Sequence, residues 1–214
     1  MKIYAHRGFS HKFPEATRAA YRAAIQVGAD GLECDVRLSK DGVAVCFHDR
    51  DTKRISGVKK RVANLTLSEL RELVDVMTLE ELLELAKVNG KEVLVETKHP
   101  VLSGGRVEVI VIDLAKRYKF TAMSFSLFAV LRFKRELDDV AYVIAHRWRL
   151  LYIPTQKVAI DVELLERSPW VRKRLAKHEI LVWTVNEKRY IPKLEDWGIS
   201  AVITDRPDLP FRLS

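Results

Sequence analysis

The run Gly31-Leu32-Glu33-Cys34-Asp35-Val36-Arg37-Leu38-Ser39-Lys40-Asp41-Gly42-Val43-Ala44-Val45-Cys46-Phe47-His48 decides how the chain folds. Its ends, Gly31 to Val36 and Val43 to His48, are β-rich, and the link Leu38 to Gly42 is too short for a crossover helix. Asp-Gly between strands is a strong hairpin signal, so the two runs form one antiparallel excursion. Outward from it, β-rich runs alternate with helical patterns: Lys2 to His6, Glu92 to Glu96, Phe120 to Phe125, Val140 to Ala145, Val158 to Asp161, Ile180 to Val185 and Ala201 to Thr204. Counting the hairpin as one stave leaves eight βα-type units, the number that closes a barrel. The expected fold is α/β, a compact TIM-type (β/α)8 barrel with a short hairpin excursion after the second strand, and the structural alternative is an open doubly wound sheet. Residues 1–214 are expected to form a single domain.

Composition narrows the class further. With 48% apolar and 31% charged residues the chain can fill a core and solvate its surface, which excludes disordered and collagenous readings. Two cysteines, Cys34 and Cys46, are too few for a disulfide framework and fit a reducing compartment. No basic start followed by an apolar stretch is visible, so a soluble, cytoplasmic protein without a membrane span is expected, with peripheral contact as the remaining option. Helices are expected from Pro14 to Val27, after the Thr78/Glu81 capping box, and from Lys188 to Trp197, and Asp51 to Asn64 reads as a surface loop. The basic runs Lys59-Lys60-Arg61 and Arg172-Lys173-Arg174 read as solvated faces; without aromatic interleaving no nucleic-acid partner is expected.

Polar residues on strands that a barrel must bury are the informative ones. His6-Arg7-Gly8 ends the first strand, Glu33 and Asp35 share one face of the second, His48-Asp49 ends the hairpin, and Glu96 with Lys98 ends the next strand. A two-residue Asp41-Gly42 turn would set Asp35 opposite His48, and would place Cys34 and Cys46 on opposite faces, so no disulfide is expected between them. Three carboxylates, Glu33, Asp35 and Glu96, without a cysteine cluster point to a hard cation such as Mg²⁺ or Ca²⁺. His6 and His48 supply groups suited to acid and base catalysis, and Arg7 and Lys98 supply fixed positive charge. Together they suit hydrolysis of a phosphodiester. Glu15 beside Pro14 reads either as a first-turn helix charge or as a site residue. His11, His99, His146 and His178 lack comparable companions.

Those segments, with Pro14-Glu15-Ala16-Thr17, Thr78-Leu79-Glu80-Glu81, Val95-Glu96-Thr97-Lys98, Val182-Trp183-Thr184-Val185-Asn186 and Ile203-Thr204-Asp205-Arg206-Pro207, resemble the glycerophosphodiester phosphodiesterases over nearly the whole chain. The resemblance implies a TIM-type barrel that hydrolyses glycerophosphodiesters to sn-glycerol 3-phosphate and an alcohol with a divalent cation, Mg²⁺ first and Ca²⁺ or Mn²⁺ otherwise. It implies that Glu33, Asp35 and Glu96 bind metal, His6 and His48 act as acid and base, Arg7 and Lys98 contact phosphate, Glu15 supports the site and Trp183 lines the pocket. Ala16 stands where that family usually has Asn. Only about thirty residues, Asp49 to Met77, replace the family's inserted segment, which implies a more open pocket. Lysophospholipase D action at a membrane surface, or phosphate binding without turnover, are the competing readings. A zinc amidohydrolase is disfavoured because His6 is followed by Arg7 and Gly8 rather than by a second His.

Overall fold

In the computed structural model, which describes residues 1–101 and 104–211, strand β1 (Lys2–His6) lies parallel between β2 (Gly31–Leu38) and β9 (Ala201–Thr204). That double pairing closes the sheet. Between those two neighbours the ring runs through β4 (Glu92–Thr97), β5 (Thr121–Ser124), β6 (Val140–Ile144), β7 (Lys157–Asp161) and β8 (Glu179–Trp183), every step parallel. The eight-stranded barrel is thus the one expected, and the open-sheet alternative falls. β3 (Ala44–Cys46) stands outside the ring, antiparallel to β2.

Helices α1 (Arg18–Gln26), α2 (Lys53–Ser56), α3 (Leu67–Leu73), α4 (Leu79–Val88), α5 (Arg106–Ala115), α6 (Leu127–Glu136), α7 (Val162–Arg167), α8 (Pro169–Leu175) and α9 (Ile191–Asp196) occupy the connections. Thr66 with Glu69 and Thr78 with Glu81 form reciprocal capping boxes at the starts of α3 and α4, each contributing about 1 kcal/mol. Outward residues such as Leu32, Val95, Tyr142 and Ile160 join the helices in the main core, and Tyr4, Leu94, Met123, Val143, Ala159, Leu181 and Ile203 fill the barrel interior. A separate small core of Val45, Phe47, Val62, Leu65, Leu70, Val74 and Val76 lies under the hairpin.

Three expectations need correction. The hairpin register is Val36 with Cys46, Arg37 with Val45 and Leu38 with Ala44, closed by the Ser39 N–H donating to the Val43 carbonyl at 3.0 Å. The loop therefore has three residues, Lys40-Asp41-Gly42, with Gly42 at φ 81°, a left-handed position that only glycine occupies without strain. A one-residue shift exchanges faces. Asp35 consequently accepts from the Phe47 amide at 2.8 Å rather than facing His48, and Cys34 and Cys46 share a face, both free, buried and joined by a side-chain hydrogen bond. Second, α1 starts at Arg18 behind the N-cap Thr17, because Ala16 takes a left-handed φ of 59° that no helix start admits. Third, residues 51–64 carry α2 and a 3₁₀ turn (Val62–Asn64) and bury Thr52 and Val62, so this stretch is folded structure and not a plain loop.

Candidate active site

At the C-terminal ends of five strands the inward-facing position changes character. His6 follows Tyr4, Glu96 follows Leu94, Phe125 follows Met123, Trp183 follows Leu181 and Asp205 follows Ile203. A two-residue step keeps a side chain on the same face, so the apolar plug is capped directly by a chemically active layer at the C-terminal mouth. A cavity of about 160 Å³ opens there, lined by His6, Arg7, Glu33, Asp35, His48, Glu96, Lys98, Phe125 and Trp183 on its working side. Met123, Val143, Ala159 and Ile203 form its floor.

Backbone geometry brings these groups in. Gly8 has φ 82°, and a Cβ there would sit 2.6 Å from the Ala20 carbonyl carbon, so glycine alone lets α1 approach beneath His6-Arg7. The chain leaves the hairpin ladder after Cys46, which returns His48 to the mouth despite the shifted register, and the Arg37 Nε–H donates to the His48 carbonyl at 2.9 Å.

Three buried carboxylates meet two cations. Asp35 has Arg7 Nε at 2.7 Å on one oxygen and Lys98 Nζ at 2.9 Å on the other, and Lys98 also lies 2.6 Å from Glu96. Burial opposes the Asp35 charge, but Lys98 and Arg7 outweigh it and hold this carboxyl below the usual range. Glu33 has the Arg7 backbone N–H at 3.1 Å; burial, then the charges of Asp35 and Glu96, push it well above that range. Glu96 is raised to about 7, by burial and then by Asp35. Three carboxylates thus share two cations and resist ionising together, which is the condition a bound cation relieves. Single ligand atoms of His6, Glu33 and Asp35 lie within 4.8 Å of one another, so the tightest grouping contains His6 where the sequence pointed to Glu96. Oxygen-rich donors of this kind fit a hard divalent ion.

Both histidines are tethered to carboxylates. Asp205 Oδ1 is 2.6 Å from His6 Nδ1 and also accepts from the Ser10 hydroxyl at 2.9 Å, while its Oδ2 accepts from Asn186 Nδ2 at 2.6 Å. These bonds hold Asp205 at about 2 against the burial that would raise it. A carboxylate can only accept, so His6 carries its proton on Nδ1 and turns Nε2 towards the cavity, 3.9 Å from Glu33. His48 Nδ1 lies 2.7 Å from Asp49, and burial, reinforced by Lys98 and Arg7 against the opposing pull of Asp35, lowers the His48 imidazole below its ordinary value. Arg54 on α2 donates to Asp49 at 2.6 Å and forks onto Glu15 at 2.6 and 2.9 Å, and Glu15 reaches Arg7 at 3.3 Å. Glu15 is thus part of the site's supporting network rather than a first-turn helix charge. Trp183 meets Phe125 edge-on at 5.5 Å, and its indole N–H is buried without a partner.

Eight of the nine residues that the sequence singled out, Trp183 among them, line the cavity directly, and Glu15 stands one layer behind. Asp205, Ser10, Asn186, Asp49, Phe125 and Arg54 were given no role from sequence. His99, set aside for want of companions, pairs at 2.6 Å with the fully buried Glu108, a link between the β4–α5 segment and α6 through Arg132.

Two fixed cations and two carboxylate-tethered imidazoles around one cavity are the equipment of a phosphoric diester hydrolase. The glycerophosphoryl diester phosphodiesterase family model matches residues 6–209, and the chain belongs to that family. A Mycobacterium tuberculosis protein named as a probable glycerophosphodiester phosphodiesterase 1 is 31% identical over 96% of this chain and 89% of its own. The structure of a glycerophosphodiester phosphodiesterase from Thermotoga maritima superposes with a TM-score of 0.85 at 28% identity, covering 96% of this chain and 95% of that one. An Oleispira antarctica phosphodiesterase, solved with its product sn-glycerol-3-phosphate, shares the fold with a TM-score of 0.85 at 24% identity, over 97% of this chain and 94% of that one.

Proposed function

We propose that the protein hydrolyses glycerophosphodiesters to sn-glycerol 3-phosphate and an alcohol in glycerophospholipid catabolism, with a divalent cation, Mg²⁺ ahead of Ca²⁺ or Mn²⁺. The observation that carries this reading is the pair of carboxylate-tethered imidazoles on one cavity with Glu33, Asp35 and Glu96. These carboxylates, with His6 at their edge, would hold the cation, which when bound polarises a phosphoryl oxygen. Arg7 and Lys98 orient the phosphate. His48, kept neutral by burial, takes the proton of the attacking hydroxyl, and His6, entering the reaction with a second proton on Nε2, gives that proton to the leaving oxygen. Trp183 packs against the glycerol. The whole of 1–214 serves as one domain, and the buried free thiols support a reducing compartment, the cytoplasm.

Release of sn-glycerol 3-phosphate from glycerophosphocholine and glycerophosphoethanolamine, first in EDTA and then with each ion restored, tests the proposal. Metal-restored release is expected, and no release with any ion overturns it. Lysophospholipids are a second reading, favoured by the apolar floor of Met123, Val143, Ala159 and Ile203.

A further inference from the structure

The connections that follow β5, β6 and β7 carry an unusual surface. Phe128, Trp148, Leu151, Tyr152 and Trp170 are 75, 62, 83, 58 and 50% exposed, whereas the next most exposed aromatic among the described residues is Phe13 at 37%. Single exposed apolar residues are ordinary, but five within three consecutive connections, with Arg147 over Trp170 and Arg149 over Trp148, gather on one flank of the barrel.

The patch is cationic and continuous with the cavity. Arg147 lies 5.8 Å over Trp170, and Arg149 lies 4.7 Å over Trp148 and 5.9 Å over Phe125, the cavity residue packed on Trp183. On α8, Trp170, Lys173 and Arg174 are spaced i, i+3 and i+4 and so share a face. Arg147, Lys173 and Arg174 form no ion pair among the described residues, while the nearby Glu163 and Glu166 are already engaged by Arg167 and by Arg189 and Lys193. The sector therefore holds uncompensated positive charge beside rings that have one polar and one apolar end.

We propose that this sector docks the enzyme on an anionic lipid surface. Amphipathic rings and arginine settle at the headgroup level, and clustered cations are drawn to anionic lipid. A second copy of the chain is the poorer occupant, because a two-fold contact would set Arg147, Lys173 and Arg174 against themselves. The proposal goes beyond the hydrolytic reading and does not depend on it.

The test is co-sedimentation of the full chain with vesicles of phosphatidylcholine alone or containing one-third phosphatidylglycerol, at low and high salt. Binding to the anionic vesicles that weakens with salt is expected. The variant Lys173→Gln/Arg174→Gln should lose it roughly thirtyfold, and Trp148→Ala/Trp170→Ala about tenfold or more. Both variants should keep parental unfolding temperatures and parental turnover of soluble glycerophosphocholine. Anionic-vesicle binding by a parent that turns over no diester would sustain docking while removing the hydrolytic reading. Equal binding to both vesicle types, no binding, or undiminished binding by both variants overturns the proposal. So does concentration-dependent self-association that the same substitutions abolish.

Discussion

His6 Nδ1 and Asp205 Oδ1 lie 2.6 Å apart although 199 positions separate the two residues in the chain. The first strand supplies the imidazole, and the residue after the last strand sets its tautomer. Asp205→Asn should keep the fold, since Ser10 and Asn186 still anchor the position, but lower kcat roughly a hundredfold with KM little changed. His6→Ala and His48→Ala should each abolish turnover. Steady-state kinetics on glycerophosphocholine check all three, and an unaltered kcat for Asp205→Asn removes the orienting role.

Glu15 anchors Arg54 and Arg7, and although burial works against its charge, their hydrogen bonds and fields hold its carboxyl below the ordinary range. A depressed folded value contributes stability that is complete above the unfolded carboxyl value and fades as pH falls through the folded one. Glu15→Gln should therefore cost about 1 kcal/mol at pH 7, after discounting the half-exposed Arg54, and close to nothing in strong acid. Urea titrations at both pH values measure the difference, and a pH-independent cost rejects the assignment.

Ala16 holds φ 59° while its N–H donates to the Arg7 carbonyl at 2.8 Å. A left-handed alanine costs about 1 kcal/mol that glycine avoids, so Ala16→Gly should raise the denaturation midpoint by the equivalent of about 0.5–1 kcal/mol. A lower midpoint would mean that the buried methyl contributes more than the backbone strain removes.

A cation that binds the folded chain alone stabilises it by mass action. Mg²⁺ at a hundredfold excess over its dissociation constant should add about 2.7 kcal/mol, a rise in Tm of roughly 5–10 °C. Glu33→Gln, Asp35→Asn and Glu96→Gln should each shrink that rise. Differential scanning calorimetry with and without EDTA reads this independently of turnover, and an undiminished rise takes the substituted residue out of the ligand set.

Much of this was legible because strand-end polarity is a costly and therefore informative feature. His6, Glu33, Asp35 and Glu96 interrupt apolar strands; Asp205, two residues beyond Ile203, carries the same signal but was passed over, because its partnership with His6 depends on ring closure that one sequence does not display. The hairpin register was misread because Asp-Gly serves both two- and three-residue turns, and the two differ at Asp41, whose φ is positive in the two-residue turn and is not positive here. Arg54 stayed hidden for a different reason. Its role comes from the short α2 folding back over Glu15, a tertiary arrangement with no periodic trace in a four-residue helix.

The small core beneath the hairpin has a broader consequence. β2 pairs with β1 through Gly31, Leu32 and Glu33 and with β3 through Val36, Arg37 and Leu38, so a single strand belongs first to the barrel and then to an appendage with its own apolar support. The carboxylates ride on the barrel portion, whereas His48 and Asp49 ride on the appendage. Lengthening the chain at the exposed, left-handed Gly57 would remodel the appendage while the barrel strands keep their alignment. The carboxylates and His6 thus sit on one part of the chain and His48 on another, and the second can be rebuilt without disturbing the first.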